Sequence, residues 1–207
     1  MESRCRILDA AARVYAEFGF RGATTRRIAQ AAGVNEVTLF RTFGSKEALI
    51  EEAVRRQAAV LGASAASALP EHPADPATEL AAFATAHLAD LNRHRSIIRK
   101  TMSELEERPE LAPTLTAGWE ASDTVLHDYL RRLRAAGWVG DLSADDLLAA
   151  GAMLMAALFS DAMGRDFCPG FYPQPAERAP ELYVRLFLRA VACRSAAPVH
   201  PEPSPAS

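Results

Sequence analysis

The chain has 207 residues, of which 49% are hydrophobic and 24% are charged, and its formal net charge is −3. This apolar content is enough for a sizeable core and argues against a generally disordered chain. The small net charge gives by itself no indication of a polyanionic partner. Alanine and leucine dominate, while β-branched and aromatic residues are sparse, so the composition predicts an all-α protein of one medium or two small domains.

The charge is distributed unevenly along the chain. Residues 1–50 carry eight basic and five acidic side chains, a net +3, whereas residues 51–207 carry fifteen basic and twenty-one acidic ones, a net −6. A difference of this size also arises by chance. A basic front on an acidic body nevertheless suggests separate tasks for the two parts.

The sequence indicates neither secretion nor a membrane span. Cys5, Cys168 and Cys193 are few and widely spaced, so they imply no disulfide framework and favour a reducing compartment. Charged residues interrupt the N-terminal segment, which therefore lacks an apolar signal core. The longest apolar run, residues 147–159, has 13 residues, whereas a span needs about 20. We expect a cytoplasmic protein with no membrane partner.

Four helices are expected near the N-terminus. The first, from about residue 4, ends at Gly19, since glycine favours the left-handed stop. The second begins at Thr24 or Thr25, either of which can cap it, and ends at residue 32. Asn35 caps the third, which ends before residue 44, and Ser45 caps the fourth, which extends to about residue 65.

Five further helices bring the predicted total to about nine. They are placed at about residues 77–93, 95–107, 111–136, 144–164 and 180–193. The predicted organisation is an N-terminal unit over residues 1–50, a helical body over residues 51–194 and a disordered tail over residues 195–207, which is rich in proline and small side chains.

The second and third helices form a broken pair. Gly33 supplies a positive-φ turn and Val34 fills it, while the small Ala29 allows the two helices to cross closely. This is the arrangement of a helix-turn-helix, in which the second helix projects a short surface row into the DNA major groove. An ordinary helical hairpin with a glycine turn is the alternative interpretation of the Ala-x-x-x-Gly spacing alone.

The whole N-terminal stretch, ILDAAARVYAEFGFRGATTRRIAQAAGVNEVTLFRTFGSKEALI, resembles the DNA-binding domain of the tetracycline-repressor (TetR) family of bacterial regulators. The matching region covers about residues 7–53. Its strongest points are the Gly19-Phe20 turn, Thr25 before RRIAQAAGV, the Leu39-Phe40-x-x-Phe43 pattern and the Ser45-Lys46-Glu47-x-Leu49 pattern. The resemblance implies an N-terminal three-helix helix-turn-helix domain and a C-terminal helical ligand-binding and dimerisation domain.

The resemblance also implies a set of DNA-contacting residues. Thr25 matches the family's helix-capping threonine, which reaches a phosphate, and Lys46 matches its phosphate-binding lysine. Arg26 is placed to pair with guanine, and Arg27 is either a phosphate contact or a solvated charge. The predicted DNA-binding residues are Thr25, Arg26, Arg27, Asn35, Glu36, Val37, Thr38, Phe40, Arg41, Thr42 and Lys46.

Base reading is assigned to the start of the third helix. Asn35 can pair with adenine, and Val37 or the Thr38 methyl can touch a thymine methyl. Glu36 would be repelled by phosphate unless it accepts from a cytosine amino group or pairs with an arginine, Arg41 or Arg26.

The sequence departs from the family pattern at two of these positions. Phe40 stands where the family usually has tyrosine, so one hydroxyl is missing from the phosphate contacts. Thr42 stands where the family often has histidine. Both departures concern single backbone contacts.

The helix expected at about residues 144–164 is apolar nearly all round, so it must be covered on both sides. The resemblance implies that a second copy covers one side, in a two-fold four-helix interface. A fully buried helix of a monomer is the alternative. The predicted dimer-interface residues are Leu148, Gly151, Ala152, Met155, Leu182, Leu186 and Phe187.

The resemblance implies that a homodimer binds a near-palindromic operator in double-stranded DNA, most often as a repressor, and that a small-molecule effector releases it. We expect a mostly apolar effector, because apolar walls with a few polar points are usual for such sites. The candidate ligand-binding residues are Phe83, Met102, Trp119, Thr124, Met153, Phe159 and Met163, although methionine and aromatic residues are more often plain core.

Enzyme signatures are absent from the sequence. It has no glycine-rich phosphate loop, no His-Glu-x-x-His and no Gly-x-Ser-x-Gly, and its five histidines do not have metal-ligand spacing. We therefore predict no catalytic residue, metal or cofactor. Two other classes stay open: a helical small-molecule carrier or enzyme, and a helix-turn-helix used for contact with proteins.

Overall fold

The computed structural model describes residues 2–60 and 67–193. Over these residues the chain is all-α, as predicted, without a strand. Eight α-helices follow one another: α1 (Glu2–Gly22), α2 (Thr25–Ala32), α3 (Glu36–Phe43), α4 (Lys46–Val60), α5 (Pro76–Glu104), α6 (Ala112–Ala135), α7 (Ala144–Gly164) and α8 (Ala179–Ala190). Short 3₁₀ turns cover Pro109–Leu111, Pro169–Phe171 and Ala176–Arg178. The predicted tail, residues 195–207, and the predicted end of the fourth helix at residue 65 lie outside the described residues.

The predicted break at residue 94 is wrong, which reduces the expected nine helices to eight within the described ranges. Residues 77–93 and 95–104 belong to one helix, α5, which ends at Glu104, three residues before the predicted end at 107. The segment around His94 is polar, but it contains neither glycine nor proline. A polar stretch without such a residue can continue a helix with its side chains toward solvent. The Nδ1 atom of His94 lies 2.8 Å from the Asp90 carbonyl oxygen, one turn earlier in the same helix.

Gly19 interrupts α1, as the sequence predicts. Its backbone has φ 67° and ψ −178°, a conformation that is essentially restricted to glycine. A Cβ atom at this position would lie 2.5 Å from the Glu104 Oε1 atom. Glycine is therefore required here both for the turn and for the close approach of α5.

Two apolar clusters organise the described residues. One joins α1 to α4, with fully buried side chains such as Tyr15, Ile28 and Ile50, and it extends to Leu111 of the body. The other joins α5 to α8 around residues such as Phe83. The helix α4 passes through residue 50, so no loop separates the two units at the predicted boundary.

A buried ionic group connects α7 to α8. Asp161 is 1% exposed, and its carboxylate accepts hydrogen bonds from Arg165 Nε at 2.6 Å and from the Tyr183 hydroxyl at 2.8 Å. Burial and the bond to this carboxylate raise the pKa of Tyr183. Because a buried charge without its partners is costly, this group fixes the relative position of the last two helices.

We predict that Asp161→Ala lowers the free energy of unfolding by about 3–5 kcal/mol, since it leaves the Arg165 guanidinium without its partner. Urea denaturation followed by circular dichroism measures the change. The control is Asp128→Ala, which removes an exposed ion pair with Arg131 on α6 and should cost at most about 1 kcal/mol. Equal effects of the two substitutions would contradict the role of the Asp161 group.

Candidate nucleic-acid interface and effector cavity

The helices α2 and α3 are joined by a tight turn with defined caps. The Thr24 hydroxyl accepts a hydrogen bond from the Arg27 backbone N–H at 3.3 Å, so Thr24 caps α2. The capping role that the resemblance gives to Thr25 is therefore wrong, because Thr25 is the first residue inside the helix. Gly33 adopts the left-handed conformation, with φ 64° and ψ 39°, and Asn35 Oδ1 caps α3 by accepting from the Val37 N–H at 2.9 Å.

One side of α3 protrudes from the protein. Leu39 is buried in the N-terminal core, whereas Val37 is 72% exposed, Phe40 is 50% exposed and Arg41 is also exposed. These three residues have the spacing of neighbours on one helix face. A short helix that exposes two large apolar side chains beside an arginine has the form of a recognition surface.

Glu36 is held by Thr25. The Thr25 hydroxyl donates to the Glu36 carboxylate and so connects the starts of α2 and α3. Of the two alternatives for Glu36, pairing with Arg41 or Arg26 is not found among the described residues, and acceptance from a cytosine amino group stays a prediction. The hydroxyl of Thr25 is already engaged in this state, and so is the Thr42 hydroxyl, which donates to the Thr38 carbonyl at 2.7 Å.

The two neighbouring arginines of α2 differ. Arg27 turns back onto α1, where its Nη1 donates to the Gly22 carbonyl at 2.9 Å and its guanidinium lies 4.4 Å from the centre of the Phe18 ring. Arg26 is exposed and has no hydrogen bond or ion pair to any residue in the described ranges; the same holds for Arg41. Arg26 and Arg41 are thus the cations of this surface that are available to a partner.

Lys46 contacts the turn after α1. Its Nζ donates to the Phe20 carbonyl at 3.0 Å and lies 3.9 Å from the centre of the Phe20 ring. The sequence places this lysine at the N-terminus of α4, and Ser45 caps that helix through the Ala48 N–H at 3.1 Å. The ammonium has three N–H donors, so Lys46 can bind a phosphate while it keeps the bond to Phe20.

The same turn is bonded to the end of α5. The Phe20 N–H donates to Glu104 Oε1 at 2.9 Å, and the Arg108 guanidinium lies 3.6 Å from the Phe20 ring centre. Arg21 and Glu107 form an exposed ion pair alongside. Sequence reasoning missed this junction because its members are more than 80 positions apart, and no local pattern indicates such a contact.

A cavity of about 480 Å³ lies between α5, α6 and α7. Trp119 and Phe159, two of the predicted ligand-binding residues, meet in its wall edge to face, with ring centres 4.8 Å apart and an interplanar angle of 72°. The cavity is lined by His87, Leu91, Thr116, Trp119, Glu120, Asp123, Ala152, Met155, Ala156 and Phe159. The sequence identified the aromatic residues but not the polar ones.

The structure places the other five predicted ligand-binding residues away from this cavity. Phe83 is fully buried in the body core, and Met163 packs against the same core. Met102 and Thr124 are exposed on α5 and α6, and Met153 is 70% exposed on α7. These positions were predicted from residue type alone. Which side chains meet depends on the face that each occupies on its helix, and the sequence does not define these faces in the body.

His87 is the most deeply buried polar residue of the cavity wall. It is 3% exposed, stacks on Phe83 with ring centres 5.7 Å apart, and its Nδ1 has no hydrogen-bond partner among the described residues. Burial lowers the pKa of His87 to about 4, against the opposing effect of the nearby Asp90 charge, so the imidazole is neutral at pH 7. The Trp119 Nε1 atom is likewise buried without a partner in the described part of the chain.

The outer side of α7 is apolar and uncovered. Leu148 is 55% exposed, Met153 is 70% exposed and Ala152 is exposed beside them, while Leu186 of α8 is 58% exposed. Among the described helices, α7 alone has the length and hydropathy of a membrane span. Only 33% of its most apolar 18-residue stretch is buried. Its inner side packs on the body core, so α7 is a core helix with one face left open.

Two of the predicted interface residues, Gly151 and Phe187, are buried, and two others, Met155 and Leu182, are partly exposed. Gly151 is buried against its own chain, where a Cβ atom would lie 2.8 Å from His127 Nε2. Phe187 belongs to the body core, Met155 lines the cavity and Leu182 is half-buried. The remaining predicted residues, Leu148, Ala152 and Leu186, are exposed.

Comparison with known proteins agrees with this arrangement. The family model of bacterial regulatory proteins of the tetR family matches residues 7–53. The HTH-type transcriptional regulator YvkB of Bacillus subtilis is 30% identical over 132 residues, which cover 64% of this chain and 68% of that protein. The HTH-type transcriptional repressor AcnR of Corynebacterium efficiens is 42% identical over 59 residues, 28% of this chain and 31% of that protein.

Similarity of structure extends further along the chain than similarity of sequence. The crystal structure of PfmR, a TetR-family transcriptional regulator from Thermus thermophilus, superposes with a TM-score of 0.67 at 27% identity. The match covers 89% of this chain and 97% of PfmR. The helix-turn-helix, the helical body and these relatives together show that the chain belongs to the TetR family of bacterial regulatory proteins, as a DNA-binding regulator of transcription.

Proposed function

We propose that this chain is a cytoplasmic, homodimeric repressor that binds a near-palindromic operator in double-stranded DNA and leaves it when a small effector occupies the body. The observation that carries this proposal is the protruding face of α3, with Val37, Phe40 and Arg41 directed away from the core. The repressor AcnR, similar over 59 residues of this chain, supports the sign of regulation.

In this proposal, the bases are read by exposed side chains that make no hydrogen bond or ion pair to another described residue. Arg26 and Arg41 can each pair with the guanine edge, and Val37 can touch a thymine methyl in the major groove. Phe40 adds apolar surface on the same face. These residues stand ready in the free protein, so their contacts require little rearrangement.

Backbone contacts fall to groups that already have an internal bond. The Thr25 hydroxyl would exchange its bond to Glu36 for one to a phosphate oxygen, whereas the Lys46 ammonium has three N–H donors and can add a phosphate to its bond with Phe20. Arg27, Thr38 and Thr42 are less available, because Arg27 braces the end of α1, Thr38 is half-buried and the Thr42 hydroxyl bonds within α3. Phosphate contacts fix the register of the protein on the duplex without reading its sequence.

A second copy covers the open side of α7 in the proposed dimer. Leu148, Ala152, Met153 and Leu186 form the centre of this interface, and the two-fold axis passes near α7. The dimer then presents two α3 helices to half-sites about one DNA turn, 34–36 Å, or a multiple of it apart.

The helix α5 provides the physical connection between effector and operator. It contributes His87 and Leu91 to the cavity and Glu104 to the junction with Phe20. Seventeen residues of continuous helix separate His87 from Glu104, or about 25 Å at 1.5 Å per residue. A displacement of α5 at the cavity would therefore move the turn that carries α2 and α3, and the coupling would act equally in both directions.

The alternatives are separated by simple assays. A helix-turn-helix that contacts only proteins would not retard genomic DNA in the presence of competitor DNA. A carrier or enzyme would bind or convert metabolites with no effect on DNA binding.

We predict that Arg26→Ala weakens binding to the operator by about 1–3 kcal/mol and relaxes the preference at one base position, whereas Lys46→Ala weakens binding to all sequences and lowers the salt dependence by about one ion. Selection of bound duplexes from a random library supplies the operator, and titrations at several salt concentrations measure both effects. If both variants select the same sites as the wild type, Arg26 does not read a base.

Asn35 tests whether a cap or a base contact dominates at the start of α3. Because its Oδ1 caps the helix, Asn35→Ala should lower the free energy of unfolding by about 0.5–2 kcal/mol and weaken operator binding. Asn35→Ser keeps a capping oxygen and should retain both stability and affinity. Loss of affinity in the serine variant at unchanged stability would instead indicate that Asn35 pairs with adenine.

For the dimer, we predict that Met153→Asp yields monomers in sedimentation velocity, since it would bury an unpaired charge at the centre of the interface. Val60→Asp is the matched control, because Val60 is a comparably exposed apolar side chain, 47%, at the end of α4. The control should remain dimeric. A Met153→Asp protein that stays dimeric would place the interface elsewhere.

A further inference from the structure

The cavity between α5, α6 and α7 has charge of one sign. Two carboxylates, those of Glu120 and Asp123, belong to its lining, and neither lysine nor arginine does. His87 is the one other ionisable residue of this described lining, and it is neutral at pH 7 because burial lowers its pKa. An occupant therefore meets negative charge at one end and apolar or aromatic surface elsewhere.

The Glu120 carboxylate has no neutralising partner among the described residues, whereas the Asp123 carboxylate lies beside His127. Glu120 has no hydrogen bond or ion pair from its carboxylate to any described residue, and it is exposed at the rim. Asp123 Oδ2 lies 3.1 Å from His127 Nδ1, an attraction that is ionic only while that imidazole is protonated. His127 also bridges to the Leu148 carbonyl at 3.3 Å, so it serves to join α6 to α7. At least one full negative charge remains available at this end of the cavity.

The same lining carries an aromatic surface that an organic body could contact, since Trp119 lies one turn before Asp123 on α6 and Phe159 is on α7. Trp119 and Phe159 present an edge-to-face aromatic pair, and such rings attract cations placed within about 6 Å of a ring centre. Trp119 Nε1 and His87 Nδ1 are buried and have no partner in the described ranges. Both atoms are enclosed by protein, so the surface that an occupant would meet is the aromatic and apolar part of these side chains.

We propose that this cavity binds a hydrophobic organic cation, with its positive end at Glu120 and Asp123 and its apolar body against Trp119 and Phe159. The inference rests on the proposed function, in which this cavity is the effector site. Its volume of about 480 Å³ is in the range of sites for drug-sized molecules. An acyl carboxylate or a phosphate ester would meet two carboxylates and no cation, so anionic effectors are disfavoured.

The test uses three probes that share a naphthalene body and differ in charge: (1-naphthylmethyl)trimethylammonium, 1-naphthylmethanol and 1-naphthylacetate. Calorimetric titration of the full-length protein should give the ammonium probe a dissociation constant about tenfold or more below that of the acetate. The double variant Glu120→Gln, Asp123→Asn should weaken the ammonium probe about tenfold and leave the neutral alcohol within about twofold. Asp128→Asn is the matched control, because this carboxylate is on α6 but outside the cavity, and it should change nothing.

Three results would overturn the inference: acetate binding as tight as ammonium binding, ammonium binding that is unchanged in the double variant, or no ammonium binding at millimolar concentration. Release of the operator is measured separately with each probe. Ammonium binding without release would contradict effector control while supporting the chemistry of the cavity. Release by the acetate alone would support effector control and refute the cationic class.

Discussion

The hydrogen bond from the Phe20 N–H to Glu104 is the contact on which the arrangement of the two units depends. It exists because Gly19 adopts a conformation that other residues avoid, and because the missing side chain leaves room for the Glu104 carboxylate. Lys46 and Arg108 both lie close to the Phe20 ring, so the turn is held by a bond and by two cation–π contacts. These contacts fix the position of α2 and α3 relative to the end of α5.

The predicted DNA-binding side chains fall into two groups, those without an internal partner in the described residues and those with one. Arg26 and Arg41 have no hydrogen bond or ion pair to another described residue. Their contacts with bases would therefore add to the interactions that the protein already makes. The Thr25 hydroxyl has an internal acceptor, so its contact with phosphate brings only the difference between the old bond and the new one. The Lys46 ammonium has three N–H donors, so it can bind a phosphate and keep its bond to Phe20, in the turn that Glu104 holds. Lys46 would thus connect the DNA backbone to the turn that is bonded to α5.

The sequence predicted what depends on local signals. Gly19, Gly33 and Asn35 act through the conformation of their own residues or through a neighbour two or three positions away, so their turns and caps could be read directly. The break predicted near His94 failed because polarity was taken for a helix end where only a different helix face was present. Contacts between distant positions, such as Phe20 with Glu104 or Gly151 with His127, carry no local signal. For the same reason, Trp119 and Phe159 line the cavity, whereas Met153 and Phe83, chosen by residue type as well, do not.

Ala152 lies both in the lining of the cavity and on the open side of α7, and this double position relates the two proposals for the body. A second copy packed over Met153 and Leu148 would border the cavity where Ala152 and Ala156 now face solvent. Exclusion of water from that border would lower the local dielectric, and the attraction between the Glu120 or Asp123 carboxylate and a cation would grow accordingly. A substitution that separates the protomers should therefore also weaken the binding of a cationic occupant, even when it leaves the cavity lining intact. Met153 suits this purpose because it lies on the open face but does not line the cavity, whereas a change at Ala152 would alter both surfaces at once.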